Sequence, residues 1–204
     1  MTEPLLPAER WVGQPCPIFV VSLPGEDQRR AGISAQLQAL ELDFEFVDGV
    51  RGSTLTDTER SVQVGPAAEM RRHIDREMTD GEIGCALSHQ KVYDKVLAEG
   101  HDYAFVLEDD ALLLPGFLEA LTEATQVDLD LLIFGYPKLN DEDVRMAWLF
   151  DPVMPLGTLG KAHVYGLRPR QSHLGMVGYL VSRHGCQQLK QNFPLVTEIG
   201  RAHV

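Results

Sequence analysis

The run Ile18-Phe19-Val20-Val21-Ser22-Leu23 limits what this chain can fold into more than any other segment. It is apolar and β-branched nearly throughout, without the alternation of a strand that keeps one face in water. Such a strand is buried on both faces, in a mixed or parallel sheet. Pro24-Gly25 ends it, and Asp27 precedes a helical pattern in which Ile33, Leu37 and Leu40 recur at spacings of four and three. A second strand is expected from Phe44 to Val47, before Asp48-Gly49, so the chain opens as β-α-β.

The same alternation continues. Val50 to Arg76 is polar, lacks a sustained period and holds Gly52, Gly65 and Pro66, which predicts a long loop with short helical pieces. Thr79 and Glu82 stand in the relation of a capping box ahead of Ile83, Leu87, Val92 and Val96, predicting a helix of about four turns that ends near Gly100. Tyr103 to Leu107 is a short strand running into Glu108-Asp109-Asp110; Pro115 is expected to open a helix through Phe117, Leu118 and Leu121, and Leu129 to Phe134 is the next strand. Gly135 to His173 is less patterned; Met176 to Ser182 reads as a strand and Arg183 to Asn192 as a helix. Strands alternating with helices predict an α/β domain.

At 204 residues, 44% hydrophobic and 24% charged, the chain has the proportions of one core. Asp and Glu total 30 against 18 Lys and Arg, a net charge of -12, and the basic pairs Arg29-Arg30 and Arg71-Arg72 stand alone. A polyanion would be repelled, so nucleic-acid binding is not expected. A phosphate-bearing substrate is still admissible where a divalent cation stands between carboxylates and phosphates. Cys16, Cys85 and Cys186 are too few and too far apart in sequence for a disulfide framework or a zinc ligand set, and read as packed thiols. With no signal-peptide run and no apolar stretch of the ~18 residues that a span needs, a cytoplasmic location is expected.

Two segments carry chemistry. Glu108-Asp109-Asp110 lies where a buried strand emerges at a sheet edge. In a strand-like backbone Glu108 and Asp110 point one way and Asp109 the other, so two carboxylates converge and can share Mn²⁺ or Mg²⁺; the competing reading is a solvated acidic turn capping the next helix. The second segment, Glu82 to His89, begins a helix, and Gly84 is a costly residue there unless something packs or binds closely. Ser88 and His89 are adjacent on that helix and do not face each other, which excludes a hydrolase dyad. Each is either a hydrogen-bonding group for a ligand or a satisfied buried polar residue, and Cys85 reads as a small core residue.

These segments resemble glycosyltransferase family 25, the group of lipopolysaccharide and procollagen galactosyltransferases. The resemblance rests on Phe19-Val20-Val21-Ser22-Leu23 with Gln28-Arg29-Arg30, on Phe44-Glu45-Phe46-Val47-Asp48-Gly49, and on Gly81 to His89. Tyr103 to Asp110 and Gly178-Tyr179-Leu180-Val181-Ser182-Arg183 complete it, in the family's order. It implies a GT-A type nucleotide-diphospho-sugar transferase fold, a mixed central sheet flanked by helices. It further implies that Ser22, Leu23, Arg29, Asp48, Glu82, Ser88, Gly178 and Tyr179 face the donor or acceptor, that Glu108 and Asp110 hold Mn²⁺ or Mg²⁺, and that Asp109, Asp110 and His89 serve catalysis.

The function so implied is an inverting, metal-assisted transfer of a sugar, galactose first among candidates, from a UDP-sugar donor to a hydroxyl of a lipopolysaccharide, lipooligosaccharide or other surface glycan acceptor. The acceptor would bring the protein to the inner face of the membrane as a peripheral associate. The rival is a catalytically inactive nucleotide-sugar-binding or adhesion module of the same fold. A metal-dependent phosphohydrolase fits less well, for want of a second ligand cluster. Residues 1–16 are expected to be an N-terminal extension and 17–197 the transferase-like domain, incomplete because the family's Pro-x-Asp element has no match. Glu198-Ile199-Gly200-Arg201-Ala202-His203-Val204 coincides with a reading frame of a widely used short-read sequencing adapter that continues into a stop codon, so 198–204 is expected to be a scar.

Overall fold

The structure is a computed structural model and describes residues 16–66, 76–134, 154–159, 162–166, 177–191 and 193–194. Strand β1 (Ile18–Ser22), helix α1 (Asp27–Ala39) and β2 (Glu45–Asp48) form the opening unit. A 3-10 turn (Gly52–Thr54) and α2 (Asp57–Gln63) lead to α3 (Asp80–Glu99), then β3 (Tyr103–Glu108), α4 (Phe117–Ala124) and β4 (Leu131–Ile133). An antiparallel hairpin, β5 (Met154–Leu159) and β6 (Ala162–Gly166), precedes β7 (Gly178–Ser182) and α5 (Arg183–Lys190).

Five strands make one mixed sheet in the order β2-β1-β3-β7-β4. β1 is parallel to both neighbours, while β7 is antiparallel to β3 and β4. The chain leaves β1 for β2 on one side and returns to lay β3 on the other. Strand order therefore reverses beyond the C-terminal ends of β1 and β3, the place where open α/β sheets bind ligands.

Alternation along the strands sorts the core into two layers. Ile18, Val20, Phe105, Leu107 and Leu180 pack against Ile33 and Leu37 of α1 and Leu121 and Ala124 of α4. Phe19, Ala104, Val106, Tyr179 and Val181 pack against Val92, Tyr93 and Val96 of α3 and Cys186 and Leu189 of α5. Each fully buried side chain of this size contributes roughly 1.5–3 kcal/mol. A third cluster, Val64, Met78, Ile83, Ala86 and Leu87, ties the segment after β2 to the start of α3.

Several boundaries differ from the sequence reading. The Thr79 capping box forms, and Gly100 ends α3 at φ 75° with its N–H donated to Val96, but the helix has 20 residues, beyond five turns rather than four. α4 starts at Phe117 and not at Pro115, because Gly116 between them sits at φ 91°, a left-handed conformation no helix can run through. Leu40 lies just past α1 and is 36% exposed, so the apolar face of that helix is Ile33 and Leu37. The segment after β2 holds α2 with a capping box of its own, Thr56 and Glu59, and the little-patterned stretch 135–173 contains the β5–β6 hairpin. Residues 1–15 and the expected scar at 198–204 lie outside the described residues.

Candidate active-site cleft

Strand alternation delivers the site. On β1, Ser22 shares the α1 side with Ile18 and Val20, and its Oγ donates to Asp109 Oδ2 at 2.7 Å. On β3, Glu108 follows Ala104 and Val106 on the α3 side, where Cys85 and His89, one helical turn apart, approach it. His89 Nε2 is 3.6 Å from Glu108 Oε1 and Cys85 Sγ is 3.9 Å from the same oxygen.

β3 ends at Glu108, and the Ala111 N–H donates back to the Glu108 carbonyl at 3.2 Å, so Asp109 and Asp110 ride on a turn. The expected alternation that pairs Glu108 with Asp110 therefore does not reach Asp110. Asp109 is 9% exposed, with Ser22 on one oxygen and Arg29 Nη1 3.3 Å from the other. Asp110 stays about half exposed, 3.6 Å from the same Arg29 nitrogen.

Ser88 and Gly84 act on the backbone opposite. Ser88 Oγ donates to the Gly84 carbonyl at 2.6 Å and accepts the Val50 N–H at 2.8 Å. A Cβ on Gly84 would come within 2.5 Å of the Val50 carbonyl oxygen and 2.7 Å of the Gly52 nitrogen. The costly helical glycine is thus explained by close backbone approach, which draws the loop after β2 onto α3.

Between these walls lies a cleft of about 450 Å³ at the reversal of strand order. Of the sequence-predicted residues it gathers Ser22, Leu23, Arg29, Ser88, His89, Glu108, Asp109 and Asp110. Four lie elsewhere. Asp48 pairs with Arg30 at 2.6 Å, Glu82 is engaged in the capping box and with Arg76, Gly178 packs on Leu107 and Phe105, and Tyr179 is wholly buried behind His89. The cleft also contains Glu26, Arg51 and Asp80, none of which the sequence reading singled out, and Cys85, which it read as a core residue. Glu26 and Arg51 each follow the end of a parallel strand, a position that would have marked them.

Charge in the cleft is acidic: Glu26, Asp80, Glu108, Asp109 and Asp110 face Arg29 and Arg51, five carboxylates against two guanidiniums. A diphosphate entering it needs added positive charge. Glu108 and Asp110, about a third and a half exposed, are oxygen donors open to the cleft and suit a hard divalent cation, whereas Asp109 already shares both oxygens.

His89 is 1% exposed, and its Nδ1 lies 2.7 Å from the Tyr179 hydroxyl, which donates to Tyr93 at 3.3 Å. Burial holds both phenols above the ordinary tyrosine range, so they stay protonated. Nε2 is buried without a hydrogen-bond partner. Burial, the largest influence, pulls the His89 pKa down, yet Cys85 and Glu108 together outweigh it and carry the value up to about 9; at 3.6 Å, Glu108 does so by attraction rather than a formed bond. Cys16 and Cys186 are packed thiols, pushed up to about 12 by burial. Cys85 departs from that expectation: it is exposed on the cleft floor.

The model of glycosyltransferase family 25, described as a lipopolysaccharide biosynthesis protein family, matches residues 16–199. The chain belongs to glycosyltransferase family 25. Family 25 relatives include a member from Aedes aegypti, 29% identical over 186 residues, 87% of this chain and 28% of the relative. Procollagen galactosyltransferase 1-B of Xenopus laevis is 27% identical over 187 residues, 87% of this chain and 28% of that protein. Inactive glycosyltransferase 25 family member 3 of Mus musculus is 32% identical over 135 residues, 62% of this chain and 23% of that protein. The chain thus spans between a fifth and a third of the length of these relatives. No helix among the described residues is long and apolar enough to cross a membrane.

Proposed function

We propose that this chain forms the donor-binding part of a GT-A type transferase that moves a sugar, galactose first among candidates, from a UDP-sugar to a hydroxyl of a lipopolysaccharide-type or other surface glycan. The observation that carries the reading is the cleft itself, with its acidic turn at the point where strand order reverses. Family membership supports sugar transfer, and the name of the Xenopus relative supports galactose. An acceptor carried on lipid would hold the protein peripherally at the inner, cytoplasmic face of the membrane.

Glu108 and Asp110 would hold Mn²⁺ or Mg²⁺, which supplies charge neutralisation for the departing diphosphate. Arg29 and Arg51 add fixed positive charge on the same side. Ser22 and Arg29 orient Asp109, so that Asp109 can receive the acceptor's proton at Oδ1 as the acceptor oxygen attacks the anomeric carbon opposite the leaving group. His89, held at Nδ1 by the Tyr179 hydroxyl and 3.6 Å from Glu108 at Nε2, backs the Glu108 carboxylate on the cleft floor. Ser88 positions the Val50 to Gly52 loop that borders the donor.

Calorimetry with UDP tests the donor site: binding with Mn²⁺ and loss of binding in excess chelator are expected, and equal affinity in both removes the cation assignment. The similarity to a mouse relative named inactive favours a second reading, a module that binds nucleotide sugar without turnover. UDP release in the presence of a lipooligosaccharide acceptor separates the two, since binding without release with any donor supports the inactive module.

A further inference from the structure

We infer that Cys85, His89 and Glu108 form a thiophilic cation site on the cleft floor, of the kind that takes Zn²⁺, which shares the Glu108 carboxylate with the hard-cation pair Glu108 and Asp110. Sequence distance excluded a zinc ligand set built from the cysteines; folding supplies one from a single cysteine, a histidine one turn along α3, and a carboxylate from the end of β3. The three donor atoms lie within 4.8 Å of one another. Ligands about 2.0–2.3 Å from a tetrahedral Zn²⁺ stand roughly 3.3–3.8 Å apart. The observed 3.6 Å from His89 Nε2 to Glu108 Oε1 and 3.9 Å from Cys85 Sγ to the same oxygen are close to that spacing before any ion draws them in.

Independent support comes from His89. Its Nε2 is a buried polar atom without a hydrogen-bond partner, on a residue 1% exposed and directed at Glu108. Such an atom is costly unless something occupies the space in front of it. Nδ1 is held at 2.7 Å by the Tyr179 hydroxyl, which itself donates to Tyr93, so the ring is fixed from behind as metal-ligating histidines are. One sulfur, one imidazole nitrogen and one carboxylate oxygen are a donor set for Zn²⁺ rather than for Mg²⁺, which requires oxygen. Three protein ligands leave the fourth position for water or a cleft ligand. On binding, the Cys85 Sγ and His89 Nε2 protons pass to solvent as the S–Zn and N–Zn bonds form.

The site requires neither donor sugar nor transfer, so its test is independent of the proposed activity. Cobalt(II) is added to the reduced full chain in the absence of nucleotide, and the near-ultraviolet thiolate-to-cobalt charge-transfer band is read; Zn²⁺ affinity is then measured by competition with a chromogenic chelator. A band at one equivalent, displaced by Zn²⁺, is expected, together with its loss in Cys85→Ser and a Zn²⁺ affinity at least tenfold weaker in Cys85→Ser and in His89→Gln. Asp110→Asn should retain the band. Cys85 is exposed, so its serine variant should melt as the parent does. No band in the parent, or a band that survives Cys85→Ser, overturns the assignment.

Discussion

Ser22 Oγ and Asp109 Oδ2, 87 residues apart in sequence, meet at 2.7 Å and join the last residue of β1 to the turn beyond β3. Arg30 Nε donates to the same Ser22 oxygen at 3.1 Å, so the hydroxyl relays between a guanidinium and a buried carboxylate. Ser22→Ala leaves Asp109 with Arg29 alone. A hydrogen bond to a charged group is worth about 1.5–3 kcal/mol, and urea unfolding should show a loss in that range. A midpoint equal to the parent's would mean that the bond does not order the turn.

Gly84→Ala sets two effects against each other. Alanine in a helix interior gains about 1 kcal/mol over glycine. Its Cβ, however, would stand 2.5 Å from the Val50 carbonyl oxygen, which is backbone and cannot swing aside. Overpacking of this kind costs about 1–3 kcal/mol, so the net change should be a loss, with weaker UDP binding because the Val50 to Gly52 loop is displaced. Gly52→Ala should be worse, its Cβ falling 1.9 Å from the Asp80 carbonyl oxygen. A higher melting temperature in Gly84→Ala would show that the loop yields freely.

Asp110→Asn removes a charge from a half-exposed side chain and leaves the packed core untouched. The variant should melt with the parent, lose Mn²⁺-dependent binding of UDP and, in a protein competent for transfer, lower the rate by orders of magnitude. Unchanged nucleotide calorimetry in the folded variant would count against a cation held by Asp110.

Asp130 gives a pH dependence of defined sign. Ser182 Oγ donates to one of its oxygens at 2.7 Å and His184 Nδ1 lies 2.9 Å from the other, and these bonds, in that order, hold its pKa below the ordinary value. A depressed carboxylate contributes stability above its unfolded pKa, about 3.9, and loses it as pH falls through the lower folded value. Chemical unfolding from pH 6 down to 2 should therefore decline less steeply in Asp130→Asn. Parallel acid limbs for both proteins would dissociate this residue from acid sensitivity.

Local pattern was sufficient for much of the fold. The unbroken apolar run at Ile18 needs cover on both faces, Thr79 with Glu82 is a complete helix start within four residues, and Gly100 is a complete stop, each a short-range steric or hydrogen-bonding fact that contiguous residues carry. The acidic triplet was visible for the same reason. Its geometry was not, because a strand's alternation lasts only as long as the strand, and the Glu108 to Ala111 turn begins one residue too early for Asp110 to follow Glu108.

The reason for Gly84 lay in a backbone more than thirty residues away, and Cys85 is exposed because it lines the cleft rather than the core. Hydrophobic periodicity states which face of a helix is buried, but not which strand end that face will meet. The meeting of Cys85, His89 and Glu108, and of Ser22 with Asp109, depended on β3 returning beside β1 rather than beside β2. That choice rests on the collective packing of two helical layers, an energy summed over the whole core and carried by no single segment.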